Sequence, residues 1–371
     1  MDEGARIVEL ALEAGFDLAG IAPLRPPRAA GRFEAWLAAG HHAGMSWLER
    51  DRGRITDPRR VLPEGRSLLV VGMGFARPAV ALPAGARVAR YAAGRDYHNR
   101  MGKLLAKLAR RLVGLGLSGS TRAIVDAGPL LERSHAAEAG LGFESKAANL
   151  LHPRLGPWFF LGELLVDREL EPTPTPPAGS CGTCTACLDA CPTAAIREPG
   201  VVDARLCISY HTIENRGPVP HALRPAVRDW AFGCDVCSEV CPWGLRAPDA
   251  SAGFGTHAAV AGRDLLDWLR VGEEAFGELF RGSPLQRARR AGLARNAALA
   301  LSASPSDAGR EGLLEALGDP EALVREAAFW SLSQAHGSER GVARALERAL
   351  GGESDPEALR GMHRTREGSP D

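Results

Sequence analysis

The eight cysteines of the chain all fall between residues 181 and 241. Cys181, Cys184, Cys187 and Cys191 are separated by two, two and three residues, and Pro192 follows the last of them. Short turns of this kind let neighbouring thiolates reach different irons of one cubane, while the fourth cysteine points away toward a second cluster. A second, shorter run is "CDVCSEVCPW", with Cys234, Cys237 and Cys241 before Pro242. Counted back from Cys241, its missing first member falls at position 231, which is Ala231, and one cysteine, Cys207, lies outside both runs. The tally closes at two sets of four: Cys181, Cys184, Cys187 and Cys241 for one [4Fe-4S] cluster, and Cys234, Cys237, Cys191 and Cys207 for the other.

Four-cysteine zinc sites also use C-x2-C pairs. The order C-x2-C-x2-C-x3-C-P is the more specific signal, that of a bacterial-type ferredoxin half, and a redox-silent metal has no use for two interleaved sites. The segment reads as a two-cluster electron relay, and a relay needs something to reduce. No Gly-rich dinucleotide fingerprint is present: "VVGMGFA" offers G-x-G after a strand but lacks the third glycine. In "RDYHNRMG" (95–102), Asp96 and His98 approach the D-x-H-x-x-G pattern in which His ligates cobalamin from below. Met101 stands where that pattern needs glycine, and the stretch reads as a helix start with Asp96 as N-cap. Asp126, in "AIVDAGP", ends an apolar run before a Gly-Pro turn. A carboxyl partly buried at a strand end has its pKa raised and can donate a proton, although a turn also favours Asp there. "RGSPLQRARRAGLAR" (281–295) holds Arg281, Arg287, Arg289, Arg290 and Arg295 with no acid. On a helix this is a phosphate-binding stripe, or else the solvated face of an arginine-rich protein.

The elements that must position these residues show in the periodicity. "GARIVELALEAGF" and "YHNRMGKLLAKLARRLVGLG" carry helical spacing, and 67–75, 121–126 and 157–166 read as buried strands. "EPTPTPPAGS" (171–180) reads as a linker. Beyond it "LARNAAL" (293–299) and "LVREAAF" (323–329) align at an offset of 30 residues, and "DPEAL" at 319–323 recurs at 355–359. Such self-similarity points to a short HEAT-type helical array. The expected organisation is an α/β catalytic domain at 1–172, a ferredoxin-like domain at 173–255, a HEAT-like repeat at 262–352 and a disordered tail at 353–371.

The chain has 371 residues, a formal net charge of zero and 24% charged residues. That length calls for two or three domains. Charge gives no global reason to bind nucleic acid or membrane, so any polyanion must meet a local patch. The N-terminus lacks the basic start of a secretory signal, and no apolar run approaches the roughly 18 residues of a membrane span. The expectation is a cytoplasmic protein, where thiols stay reduced and bind metal.

Taken together, "RYAAGRDYHNRMGKLLAKLA", "VDAGPLLERSHAAEAGLGFESK", "PWFFLGELL", the cysteine run, "ISYHTIENRGPVP" and "FGCDVCSEVCPW" resemble the epoxyqueuosine reductases of tRNA modification. The resemblance implies an N-terminal domain that binds cobalamin in a reductive-dehalogenase- and nitroreductase-like fold, with no protein histidine as lower ligand. It implies two [4Fe-4S] clusters, and as substrate an epoxide at the wobble position of a tRNA anticodon stem-loop. Asp126 matches the family's proposed proton donor. Tyr91, Arg95, Asp96, Tyr97, His98, Lys146, Tyr210 and Asn215 fall at cofactor and substrate positions. An external low-potential electron donor and a monomeric protein complete the expectation. The chain departs from the family's "GWxGKN" at Glu144, Ser145 and Ala147, and has Tyr210-His211 where Tyr-Leu is common; these departures bear on the substrate pocket. Two other readings fit parts of the sequence. A reductive dehalogenase-like enzyme would need no arginine stripe and usually carries an export signal. A ferredoxin-type carrier would leave the α/β domain without a task.

Overall fold

The computed structural model describes residues 2–174, 179–250 and 253–368. These form two compact units, one of residues 1–77, 96–205 and 236–254, the other of 78–95, 206–235 and 255–371. Among the described residues no helix is long and apolar enough to cross a membrane.

The first unit is built on a four-stranded sheet. Its strands are β1 (Leu18–Pro23), β2 (Ser67–Gly74), β3 (Thr121–Ile124) and β4 (Phe159–Val166), in the order β1-β2-β4-β3. Every pairing is antiparallel, with Ile21 opposite Leu69, Leu69 opposite Leu164 and Ile124 opposite Glu163. Central β2 is buried at all eight positions, which is why it reads as an unbroken apolar run. On one face lie α1 (Glu3–Glu13) and α2 (Tyr97–Gly114). The stripe Tyr97, Met101, Leu105, Leu108 and Leu112 turns inward, and Gly162 of β4 lets Met101 and Leu105 approach the strand. On the other face lies α3 (Glu132–Glu138), whose end sits so close to β1 that a Cβ at Gly20 would overlap the Ala139 carbonyl.

Two expectations change here. The strand expected at 121–126 stops at Ile124 and is not buried: β3 is an edge strand, with Arg122 and Ala123 exposed. Residues on both sides of 171–180 belong to the first unit. The linker's own start is fixed to β1, where the Ile21 N–H donates to Thr173 Oγ1 (2.8 Å) and the Thr173 N–H to the Ile21 carbonyl (3.0 Å). Positions 175–178 of that stretch lie outside the described residues.

The second unit is largely helical: α4 (Ile208–Ile213), α5 (Leu265–Arg270), α6 (Glu273–Leu279), α7 (Arg289–Leu301), α8 (Asp307–Ala316), α9 (Ala322–His336), α10 (Arg340–Gly352) and α11 (Pro356–Glu367). The two stretches that align in sequence are α7 and α9, which pack on each other. Of the tail expected to be disordered at 353–371, Pro356–Glu367 instead forms α11, and residues 369–371 lie outside the described residues. Asp355 caps that helix, accepting from the Glu357 and Ala358 N–H groups (3.0 and 2.9 Å), Pro356 occupies its first turn, and Ala358 and Met362 are buried. Between helices, Arg224 donates two bonds to Glu326 (2.8 and 2.9 Å), both residues being buried.

Candidate active site and cluster pocket

Asp126 stands at the apex of the loop between β3 and α3. The Ala127 N–H bonds back to the Val125 carbonyl (2.6 Å), closing a three-residue turn in which Asp126 has φ +54°. A non-glycine residue holds such a backbone only where its surroundings impose it. Here they do so on both sides. The Asp126 N–H donates to Glu132 Oε1 (2.7 Å), and its carboxylate accepts from the Tyr97 hydroxyl (2.6 Å) with His98 Nε2 at 3.4 Å. The first turn of α2 supplies both partners. Asp96 caps that helix through the His98 N–H (3.0 Å) and also holds His98 Nδ1 (2.7 Å). Tyr97 is itself stacked on Phe160, with ring centroids 4.0 Å apart and planes at 6°. Phe160 in turn meets Phe75 and Phe254.

The electrostatics reverse one expectation. Burial pushes the Asp126 carboxyl up, but the bonds from His98 and Tyr97 and the charges of His98 and Arg133 outweigh it, so its pKa is lowered rather than raised. Burial lowers His98, yet its bonds to Asp126 and Asp96 carry it up to about 9. At neutral pH the site therefore holds an aspartate beside an imidazolium, and its mobile proton sits on His98. With both ring nitrogens held by carboxylates, His98 offers no free nitrogen to a metal.

Cys181, Cys184, Cys187 and Cys241 line one open pocket, joined by Cys237 of the second set. The Lys146 N–H approaches Cys181 Sγ (3.5 Å), and Lys146 Nζ donates to the Gly182 and Cys184 carbonyls (2.8 and 2.9 Å). Desolvation, then the neighbouring Cys181 and Cys241, raise the Cys187 thiol, so crowded sulfurs here favour a cationic guest. The pocket fits a cubane cluster in its donor set. Lys146, expected at the cobalamin and substrate pocket, thus braces the cluster loop. The departures at Ser145 and Ala147 line the same pocket. Ser145 Oγ accepts from the Ala147 and Asn149 N–H groups (both 3.2 Å), and Glu144 pairs with Arg32. Of the second set, Cys191 and Cys237 belong to the first unit, and Cys191 Sγ accepts from the Ala195 N–H (3.3 Å).

Cys207 and Cys234 belong to the second unit, as do Tyr91, Arg95, Tyr210 and Asn215. Cys207 is the residue before α4, and Thr212 of α4 accepts from the Gly233 N–H (2.9 Å), next to Cys234. Ala231 is fully buried in the strand Trp230–Phe232, and its carbonyl accepts from Asn296 (3.0 Å). Tyr91 packs near Phe232, Tyr210 meets His211 edge-on, and Arg95 is exposed. Asn215 serves its own loop. Its amide nitrogen donates to the Pro218 carbonyl (3.0 Å) and lies 3.3 Å from His211 Nδ1, while its oxygen accepts from the Gly217 N–H (3.0 Å).

The arginine stripe divides, because acids and carbonyls from elsewhere in the unit meet it. Arg295 is buried, donating to the carbonyls of His211, Asn215 and Gly217, and burial lowers it to about 9. Arg290 is buried in an ion pair with Asp319 and donates to the Val271 carbonyl (3.0 Å). Both hold the fold, contrary to the expectation that they face phosphate. Arg281, Arg287 and Arg289 remain exposed, Arg287 being paired with Glu214 (2.8 Å). Arg216, missed in the sequence, shares Glu214 (3.7 Å), and burial together with the charges of Arg289 and Arg287 lowers it. Sequence reasoning also missed Glu132 and Glu163. The one available signal was an acid inside the apolar run "FFLGELLV".

Comparison with known proteins gives a consistent picture. Residues 55–127 match the family described as "Epoxyqueuosine reductase QueG, DUF1730", and residues 180–244 match a 4Fe-4S double cluster binding domain. An epoxyqueuosine reductase of Xanthomonas campestris is 39% identical over 352 residues, covering 91% of this chain and 97% of that protein. One from Gloeobacter violaceus is 42% identical over 313 residues, covering 81% and 96%. Among solved structures, an epoxyqueuosine reductase with an epoxyqueuosine-modified tRNA-Tyr stem loop matches at a TM-score of 0.85 and 27% identity, over 98% of this chain and 97% of that one. A Bacillus subtilis epoxyqueuosine reductase, described with its catalytic aspartate loop swung out of the active site, matches at 0.85 and 26%, over 98% of both chains.

Proposed function

The chain belongs to the epoxyqueuosine reductase family, and on that footing we propose that Asp126, held by Tyr97 and His98, delivers protons to its substrate. The enzyme reduces the epoxide of epoxyqueuosine at the tRNA wobble position to queuosine, using two [4Fe-4S] clusters and cobalamin. When bound, these groups supply the two electrons with which, together with two protons, the epoxide oxygen leaves as water. The chain's own residues hold the cofactors and move the protons. Cys181, Cys184, Cys187 and Cys241 would hold one cluster, and Cys191, Cys207, Cys234 and Cys237 the other. Asp96, Tyr97 and His98 would stand beside cobalamin, with no histidine nitrogen given to cobalt.

The observation that carries the proton assignment is the triad itself: an ionised carboxylate with a phenol at 2.6 Å and an imidazolium at 3.4 Å. Asp126 passes on a proton that His98 or Tyr97 supplies, and His98, held charged by two carboxylates, is the reservoir. The assay is conversion of an epoxyqueuosine stem-loop by the cluster-loaded protein with cobalamin and a reductant, followed as loss of one oxygen from the nucleoside. Absence of product under those conditions would count against the whole assignment.

For the tRNA, support comes from the exposed group Arg216, Arg287 and Arg289, where Arg216 and Arg287 pair with Glu214 and the charge of Arg289 bears on Arg216. Arg281 extends the exposed set. Each phosphate left without its arginine should flatten the plot of log affinity against log salt by about 0.7–0.9. Arg287→Gln with Arg289→Gln is expected to weaken stem-loop binding and reduce that slope without lowering the melting temperature. An unchanged slope would return these arginines to a solvated face. Arg290 is left out of this variant because its removal strands Asp319, at a cost of about 3–5 kcal/mol. We read α5–α11 as a HEAT-type array, and take the protein to be a cytoplasmic monomer fed by an external low-potential donor, as a tRNA substrate requires of its compartment.

A further inference from the structure

Glu163 is fully buried on β4, on the strand face that also carries Phe159 and Leu165 of the apolar core. Neither of its carboxyl oxygens meets an N–H or hydroxyl donor. Its polar neighbour is another acid, Glu132, whose side chain is in hydrogen-bonding contact with it. Two adjacent carboxylates, one of them fully buried, cannot both ionise there, and a hydrogen bond between them requires a proton on one. Glu132 is also the acceptor for the Asp126 N–H (2.7 Å), the bond that braces the φ +54° turn from behind. A line of contacts therefore runs from the core to the loop apex: Glu163 to Glu132, Glu132 to the Asp126 backbone, and the Asp126 side chain to Tyr97 and His98.

Resting on the reading of Asp126 given above, we propose that Glu132 and Glu163 form a protonated carboxyl latch that holds the Asp126 loop in place, making both of them positioning residues for the proton-delivering carboxylate. The charged groups that bear on Glu132 are Asp126, Glu163 and Arg133, and those on Glu163 are Glu132 and Asp126. Burial, then the charge of Asp126, carry Glu132 up to about 8, and burial and Glu132 raise Glu163 as well. Opening the loop returns Glu132 to water and to an ordinary glutamate pKa. The closed loop thus binds the proton more tightly than the open one. Its advantage is complete below the ordinary value, shrinks as pH rises, and is spent once pH passes about 8.

Hydrogen–deuterium exchange of the 123–133 segment in the cluster-loaded holoenzyme reads the latch without reference to turnover. After correction for intrinsic exchange, opening should increase at least about tenfold between roughly pH 5 and pH 8 and then level off. Glu163→Gln, which donates an amide proton at every pH, should flatten that dependence and keep the segment protected. Glu163→Leu, which fills the core but donates nothing, should leave the segment open across the range. A wild-type segment whose opening ignores pH, or a Leu variant as protected as wild type, overturns the latch. Because neither measurement counts product, the latch can fail while an inactive Asp126→Asn upholds Asp126. The latch can likewise stand while an active Asp126→Asn removes Asp126 from catalysis.

Discussion

Asp126→Asn is expected to lower conversion of an epoxyqueuosine stem-loop by about 10²–10⁴-fold, the range for a lost general acid. Cluster iron and cobalamin binding should stay at wild-type levels. The substitution is close to isosteric, and asparagine is among the residues that tolerate positive φ, so the turn at φ +54° is not itself penalised. The Tyr97 hydroxyl can still donate to the amide oxygen. What the variant loses is an oxygen able to accept a proton from His98 and pass it on. A second readout separates this from a packing defect. On the proton route proposed above, wild-type turnover needs His98 protonated. Below its ordinary value His98 is charged wherever it sits. Between that value and about 9 it is charged because Asp126 and Asp96 hold it so, and above about 9 the charge is lost. The alkaline limb of the wild-type rate profile should therefore lie near 9. With one of its two carboxylates gone, the limb of the residual activity should move to lower pH. Near-normal turnover at neutral pH would reduce Asp126 to a turn residue.

Cys207→Ala should abolish turnover and leave about half the iron, because on the ligand assignment proposed above it removes a ligand from one [4Fe-4S] cluster only. Cys207 lies directly before α4, and α4 is tied through Thr212 to Gly233, beside Cys234. The remaining iron should belong to the set Cys181, Cys184, Cys187 and Cys241, whose pocket Cys207 does not line. Retention of full iron and normal reduction would show that some other group completes the second cluster.

Sequence pattern was most informative where chemistry is local. The unbroken apolar run of 67–75 foretold a strand buried along its length. Asp96 as the cap of a helix holding Tyr97 and His98 was legible for the same reason, since a cap involves only neighbouring residues. What escaped depends on partners distant in the chain. Arg290 and Arg295 looked free of acids because Asp319 and the carbonyls around Asn215 lie 29 and about 80 positions away. The pKa of Asp126 was expected to rise because burial is inferred from an apolar strand, whereas the opposing bonds come from α2. The tail was the avoidable miss. The repeated "DPEAL" runs into α9 at Ala322 and opens α11 at Pro356, so its recurrence at 355–359 was itself a helix signal.

Ala231 carries a lesson for engineering and for motif searches. Position 231 is sealed inside a strand and bonded through its carbonyl to Asn296, so the gap in the second cysteine run is an occupied structural seat. A thiol installed there would be a bystander: shielded from alkylating reagents and from oxygen, and unable to stand in for Cys207. Cys207→Ala cannot be repaired by Ala231→Cys, even though the double change would restore the uninterrupted motif on paper. Search patterns that demand four consecutive-run cysteines would pass over such a half-site, and the safer signature is a count of thiols that closes at eight.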